Sequence, residues 1–355
     1  MAAHALSADK LARAKEVTEE LLRQGYGPPD QPIRGRAAKS EAAKMLAAEY
    51  GVPPNTAWGW IDQAPIDWTS YRPDRYQQPS PRIVLHPAAA PTPFTPEGGT
   101  RVLAIGDLHN CPKHPHRIEV LTWIARYASE HRFDHIVQVG DWSTWDSCSS
   151  HEKNDTQKGK LKPSIRQDMD NLLASHQAFR AGMAKGYKPK LSFLLGNHEY
   201  RVERFENANP EAHGTFTRER DQIFTQFGWH TRPYGEVYYI EGVGYTHHPV
   251  NGAGRAYGGK TGPQRAANDF TVPIVSGHTH RRQVHDSPKG GPVDVISMVE
   301  IGCGMLWGEV ESYAQHSMTG WWWGIVPMTV RQGAITDLNF VSMIELQKNY
   351  GRGAA

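Results

Sequence analysis

Five apolar runs in this chain each stop at a short polar motif, and that repetition constrains the fold more than any other feature. The runs are Val102–Ile105 before Gly106-Asp107-Leu108-His109, Ile136–Val139 before Gly140-Asp141, and Leu191–Leu195 before Gly196-Asn197-His198-Glu199. Val243–Thr246 then precedes His247-His248, and Val272–Ser276 precedes Gly277-His278-Thr279-His280. Short apolar runs punctuated by glycine read as buried strands. A helix-period pattern (Ile118, Leu121, Ile124, Ala125, Ala128) separates the first two, which implies a parallel pair joined by a right-handed crossover. Ile165 to Ala184 reads as a second helix, leading into the third run. Open α/β sheets collect their ligand sites at the carboxyl ends of the strands, where all five motifs fall.

The residue types at those ends are metal donors. In a strand, residues two apart share a face, so Asp107 with His109, and His278 with His280, can each direct an oxygen and a nitrogen, or two nitrogens, at one cation. Asp141 and Asn197 add oxygen donors, and a carboxylate can bridge two cations. Gly106, Gly140, Gly196 and Gly277 each precede a donor by one residue, permitting a sharp turn and a close backbone approach. Two cations held together suit phosphate ester hydrolysis.

The ordered set Gly-Asp-x-His, Gly-Asp, Gly-Asn-His-Glu, His and Gly-His-Thr-His resembles the calcineurin-like metallophosphoesterase family, over about Arg101 to Arg282. The resemblance implies a four-layer αββα sandwich with two divalent metals at the strand ends: manganese first, with iron, zinc, nickel or magnesium as alternatives. Asp107, His109, Asp141 and His280 would then hold one metal, and Asp141, Asn197, His247 and His278 the other. The family reaction is in-line attack on phosphorus by a metal-bridging hydroxide, with Asp141 and His198 as catalytic residues and His198 acting as general acid or electrostatic stabiliser. The chain departs from the family pattern at His247-His248-Pro249, where His247 is the expected ligand because it shares a face with Val243 and Tyr245. It departs again after Asp141, where Trp142-Ser143-Thr144 replaces a further Asp. Glu199 is expected to orient a neighbour.

The flanks are of other kinds. Residues 1–66 read as a small all-α domain whose segment Ser40–Ile61 resembles a helix-turn-helix around Gly51; Ala43, Leu46, Ala47, Val52, Ala57, Trp60 and Ile61 would be its core. Arg34, Arg36, Lys39, Lys44 and Asn55 are its candidate DNA contacts, although the second helix has no Lys or Arg, and a plain packing module is the alternative. Residues 67–100 are Pro-rich and read as a linker with one short strand at Arg82–Leu85; residues 101–345 form the catalytic domain, and 346–355 a flexible tail. The segment Ser143–Pro163 reads as an exposed loop, and the Trp321–Trp323 run as sheet core and sheet face rather than a base-stacking platform. Arg201, Arg255 and Arg281 are candidate substrate contacts. The glycine-rich stretch Gly252–Gly262 fails the spacing of a phosphate loop and reads as a loop beside the metals.

Composition sets bounds on this reading. A formal net charge of +2 gives no global field toward nucleic acid or membrane. Three isolated cysteines make no disulfide framework, and the start of the chain carries no apolar signal segment, so a cytoplasmic protein is expected, with a layout resembling phage or prophage proteins. The function expected is a two-metal phosphodiesterase or nuclease acting on DNA, RNA or nucleotides, with no membrane partner. The competing readings are a non-catalytic DNA-binding scaffold that keeps the metal fold, and a phosphodiesterase of cyclic-nucleotide-like small molecules.

Overall fold

A computed structural model describes residues 7–24, 37–68, 98–150, 157–290, 295–316 and 319–351. The chain divides into two compact units, Met1–Arg82 and Ile83–Ala355. Arg34, Arg36 and the strand expected at Arg82–Leu85 lie outside the described residues.

The first unit holds α1 (Ala8–Arg23), α2 (Ala38–Tyr50) and α3 (Pro54–Gln63). Alanines at 14, 38, 42, 43, 47 and 57 let the helices approach closely, and Leu46, Trp60 and Ile61 fill what remains. Helix α2 stops because Gly51 adopts φ +63°, a left-handed conformation that glycine reaches without a Cβ penalty. The Val52 N–H then donates back to the Ala47 carbonyl at 3.1 Å, satisfying an orphan acceptor of the last turn. Lys39 is ion-paired to Asp62 and Lys44 to Glu41, so both described lysines of the expected DNA contact set are already engaged. Asn55 is exposed in the first turn of α3.

In chain order the second unit begins with β1 (Thr100–Ile105), α4 (Ile118–His131), β2 (His135–Gln138), α5 (Gln157–Lys160), α6 (Ile165–Gly182) and β3 (Lys190–Leu194). There follow α7 (Tyr200–Ala208), α8 (Phe216–Gln226), β4 (His230–Arg232), β5 (Tyr238–Ile240), β6 (Val243–Thr246), α9 (Gly262–Asp269) and β7 (Ile274–Ser276). The last elements are β8 (Arg282–Pro288), β9 (Val295–Ile301), β10 (Gly324–Arg331), β11 (Ala334–Leu338), β12 (Val341–Ser342) and α10 (Met343–Tyr350).

Among the described residues these strands make two sheets. One has the order β11-β10-β1-β2-β3-β4, with β12 added to β10; the other is β5-β6-β7-β9-β8. Strands β1 to β4 run parallel, as do β6, β7 and β9, while β10 closes antiparallel on β1. Strand alternation sorts the core. Leu103, Ile105, Ile136, Leu191 and Phe193 face the helical layer that includes Leu121 and Ile124 of α4 and Leu172 of α6. Val102, Ala104, Val137 and Leu194 face the second sheet, meeting Tyr245, Val275 and Val299. Helix α9 covers the far side of that sheet through Ala266 and Ala267. Helix α6 begins at a capping box, in which Ser164 Oγ accepts from the Gln167 amide at 3.2 Å and Gln167 Oε1 accepts from the Ser164 amide at 2.8 Å.

Two expectations are corrected here. The tail does not start at 346: α10 continues to Tyr350, with Leu346 wholly buried against the main core, because Met343 and Leu346 make one apolar helix face. The stretch after Asp141 is not an exposed loop at its start. Trp142 and Trp145 are fully buried, and Ser143 and Thr144 nearly so, because this turn packs under the motif loops.

Candidate metal centre

The motif residues meet at one end of the two sheets, just past the carboxyl ends of β1, β2, β3, β6 and β7. Each carboxylate is held by a backbone amide. Asp107 Oδ1 accepts from the His278 N–H at 2.9 Å, and Asp141 Oδ1 accepts from the His198 N–H at 2.9 Å. The second oxygen of each faces the cluster. Asp107 Oδ2 lies 2.9 Å from His280 Nε2, which lies 3.0 Å from His109 Nε2. Asp141 Oδ2 lies 3.4 Å from His247 Nε2, which lies 2.8 Å from Asn197 Oδ1 and 3.2 Å from His278 Nδ1. His198 Nε2 stands 3.8 Å from Asp141 Oδ2.

The backbone contributes as well. His109, Asp141, His278 and His280 have φ of 47°, 57°, 67° and 56°, a left-handed region that costs a residue with a Cβ roughly 1 kcal/mol or more. Four such residues at one place are held only because the surrounding hydrogen bonds fix them. A Cβ at Gly196 would fall 2.1 Å from Asp141 Oδ1, and one at Gly277 would fall 2.4 Å from Asp107 Oδ1. These glycines admit the carboxylates to the cluster.

Glu199 is the central brace. It is wholly buried, and its carboxylate accepts from the amides of Asp141 at 2.8 Å, Gly196 at 2.9 Å and Ser143 at 3.2 Å. One side chain thus ties the second motif to the third. His247 Nδ1 faces the Val139 carbonyl at 2.9 Å and His198 Nδ1 the Thr144 carbonyl at 2.9 Å, so in each ring the proton sits on Nδ1 and Nε2 offers its lone pair to the site. The sequence gives no sign that Thr144 does this, because the contact is through its carbonyl.

Electrostatics agree with a ligand role. Burial holds His109 and His198 well below the ordinary histidine range, and takes His247 down to about 3 and His248 to about 4. Neutral imidazole is the form that binds a metal. Burial pushes the Asp141 carboxyl up, as do the charges of Asp107 and Glu199. Burial also acts upward on Asp107, but His280, His247 and the His278 amide outweigh it and hold that carboxyl below the usual range. Crowded carboxylates of this kind are relieved by cations.

The residues fit such cations. Ligands about 2.1 Å from an octahedral cation stand about 3.0 Å from one another, which is the spacing of these donor atoms. Three donor groups recur: Asp107 with His109 and His280, Asp107 with Asp141 and His247, and His109 with Asp141 and His198. His248 forms a fourth with His247 and His278, and its Nε2 lies 3.4 Å from the Tyr234 hydroxyl. His247 rather than His248 faces Asn197 and Asp141.

Residues 100–282, a little over half of the chain, match the Calcineurin-like phosphoesterase family. The chain belongs to that family. It is a phosphoester hydrolase of a metal-dependent kind, and its fold is the mixed α/β arrangement described above. A search of curated proteins found no match. Among solved structures, Pseudomonas putida nuclease MPE aligns with 11% identity over 66% of this chain and 86% of that one, at a TM-score of 0.29. So loose a superposition says nothing about the substrate.

The candidate substrate arginines separate. Arg201 is buried beside the cluster, with Nη2 3.1 Å from His198 Nε2 and Nη1 2.7 Å from the Thr144 carbonyl. Arg281 follows His280 directly and pairs with Trp321 across an isolated bridge. Arg255 is exposed, its amide bonded to Asn251 Oδ1 at 3.0 Å, and it makes no contact with the donor cluster. Two buried arginines went unread in the sequence. Arg117 donates to the His109 carbonyl at 2.7 Å while paired with Glu309 and Glu311, and Arg220 donates to the Glu199 carbonyl at 2.9 Å while paired with Glu203. Neither belongs to a motif, so only tertiary structure reveals them. A cavity of about 570 Å³ lies elsewhere, lined by His135 and Lys190 at the amino ends of β2 and β3, and takes no part in this chemistry.

Proposed function

We propose that the chain hydrolyses phosphodiesters of nucleic acid or nucleotides, using two divalent cations held by Asp107, His109, Asp141, Asn197, His247, His278 and His280. The observation that supports this is the convergence of oxygen and nitrogen donors at 2.8–3.4 Å, with Asp141 a member of two of the donor groups. Cations bound there lower the pKa of water and neutralise charge on the phosphoryl oxygens. Manganese is the first metal to test. Mixed oxygen and nitrogen donors also suit iron, zinc, nickel or magnesium.

The chain's own groups do the rest. Arg201 presents a guanidinium at the edge of the donor cluster and attracts a phosphate oxygen. His198 starts neutral, with Nε2 at the site 3.1 Å from Arg201 Nη2, so it would act as general acid only by taking the proton released by the attacking water and passing it to the leaving oxygen. The Thr144 carbonyl keeps both side chains aimed. Purified protein supplied with Mn²⁺ should contain close to two metals per chain and should cleave an aryl phosphodiester. His198→Ala and Asp141→Ala should remove the activity. Absence of turnover with every divalent metal tried would overturn this reading.

In the first unit, α2 and α3 joined across Gly51 support a helix-turn-helix role that delivers nucleic acid. A gel shift comparing the full chain with residues 95–355 tests it. Retardation by the shorter chain alone would refute delivery by the helices.

A further inference from the structure

Residues 302–316 and 319–323, beyond the part of the chain that matches the family, lie against the metal centre. Their backbone is sewn to the motifs. The Gly304 amide donates to the Asp107 carbonyl at 2.8 Å, and the Trp322 amide to the His280 carbonyl at 2.8 Å. Arg117 bonds the His109 carbonyl and, through Glu309 and Glu311, fixes the same segment. The Trp323 indole donates to the Glu309 carbonyl at 2.7 Å, tightening the loop on itself.

This segment sets aromatic rings beside the donors: Trp322 and Trp323 pack on the two cores, while Trp321 turns to the cluster. The Trp321 ring stands edge-on to His280 with centroids 4.2 Å apart, and Tyr313 stands against Trp321 at 6.1 Å. Trp321 is half-buried, and Tyr313 is 68% exposed, the most exposed large apolar side chain among the described residues.

We infer that Tyr313, backed by Trp321, is a stacking surface for a nucleobase attached to the phosphoester at the metal centre. This rests on the phosphodiesterase reading above and narrows its substrate to base-bearing esters with an unpaired base. A base presents an apolar face of the size of one ring, whatever its sequence identity, and stacks on an exposed aromatic next to the groups that hold its phosphate. A protein partner fits less well. Two rings offer at most about 500 Å², against about 800 Å² on each side of a stable interface.

The test is fluorescence of a phosphorothioate single strand carrying 2-aminopurine, titrated with the full chain and Mn²⁺. Stacking should quench the probe. Tyr313→Ala should raise the Kd roughly ten-fold, and Tyr313→Phe, which keeps the ring, should restore it. A thermal melt should show both variants folded, because the residue is exposed. No quenching by the unaltered chain, or equal Kd values for Tyr313→Ala and the unaltered chain, would overturn the inference, as would equal losses for Ala and Phe. Cleavage of the matching phosphodiester strand separates the two readings. Tyr313-dependent quenching without cleavage keeps the platform and removes the hydrolytic reading. Cleavage with an unaltered KM in Tyr313→Ala does the reverse.

Discussion

The two units bury opposite kinds of residue. The helical unit hides alanine, leucine and tryptophan, and Thr18 is its one buried polar side chain among the described residues. The catalytic unit hides three aspartates, three glutamates, three arginines and several histidines at less than a tenth of full exposure. Burying apolar surface stabilises a fold without needing particular partners. Burying charge costs free energy unless each group is paired and hydrogen-bonded. The catalytic unit meets that cost with a dense set of directed contacts, and it can therefore be damaged by changes that would pass unnoticed in the helical unit.

The sharpest way to break this contrast is Asp141→Ala. It deletes a carboxylate that belongs to two of the donor groups, and should lower hydrolysis by about a thousand-fold or more, since metal catalysis supplies several kcal/mol of barrier reduction. Metal content by mass spectrometry should fall in parallel. Retained metal with full activity would show that Asp141 is no ligand.

Leu46→Ala is the matching test in the helical unit. Leu46 is fully buried, so its truncation should cost about 2–5 kcal/mol in that unit's unfolding, read by urea titration. Hydrolysis of a small aryl diester should not change. A proportional loss of turnover would mean that the units do not behave independently.

Acid should separate the units too. His176 is buried in the catalytic unit, stacked on Trp142 at 4.3 Å, and burial lowers it to about 4. An unfolded histidine titrates near 6.5, so below that pH the unfolded chain binds the extra proton first. The stability due to neutral His176 is complete above about 6.5 and is lost progressively down to about 4, reaching about 3 kcal/mol. His176→Phe should flatten that part of the stability curve. A parallel fall in the variant would assign the effect to other groups.

The smallest expected effect is that of Glu199→Gln. Two of the three amide contacts can be kept by the remaining carbonyl oxygen, so turnover and metal affinity should drop about ten- to a hundred-fold rather than vanish. A change confined to melting temperature would make the residue purely structural.

These contrasts explain what could be read in advance. That the side chains at 107, 109, 141, 197, 247, 278 and 280 come together was legible because strand period and glycine spacing are local properties, written in consecutive residues. The brace at Glu199 was legible only as a neighbour of a motif. Ser143 and Thr144 read as loop because polar residues bury only when tertiary partners exist, and those partners lie more than fifty residues away at 199, 198 and 201. Helix α10 was missed because its apolar face is two residues wide, Met343 and Leu346. Which ring of the tryptophan run faces the cluster was not legible, because a run of three tryptophans carries no information about it.

Strand β10 has a consequence for how the protein is made. It supplies the neighbour of β1, with Thr100 opposite Val330, so the first strand leaves the ribosome roughly 230 residues before the strand that covers its edge. At about 5–20 residues per second that is a delay of roughly ten to fifty seconds, during which an apolar edge stands open to other chains. A version of the gene cut at the limit of the family match would leave that edge open permanently, and its product should collect in inclusion bodies.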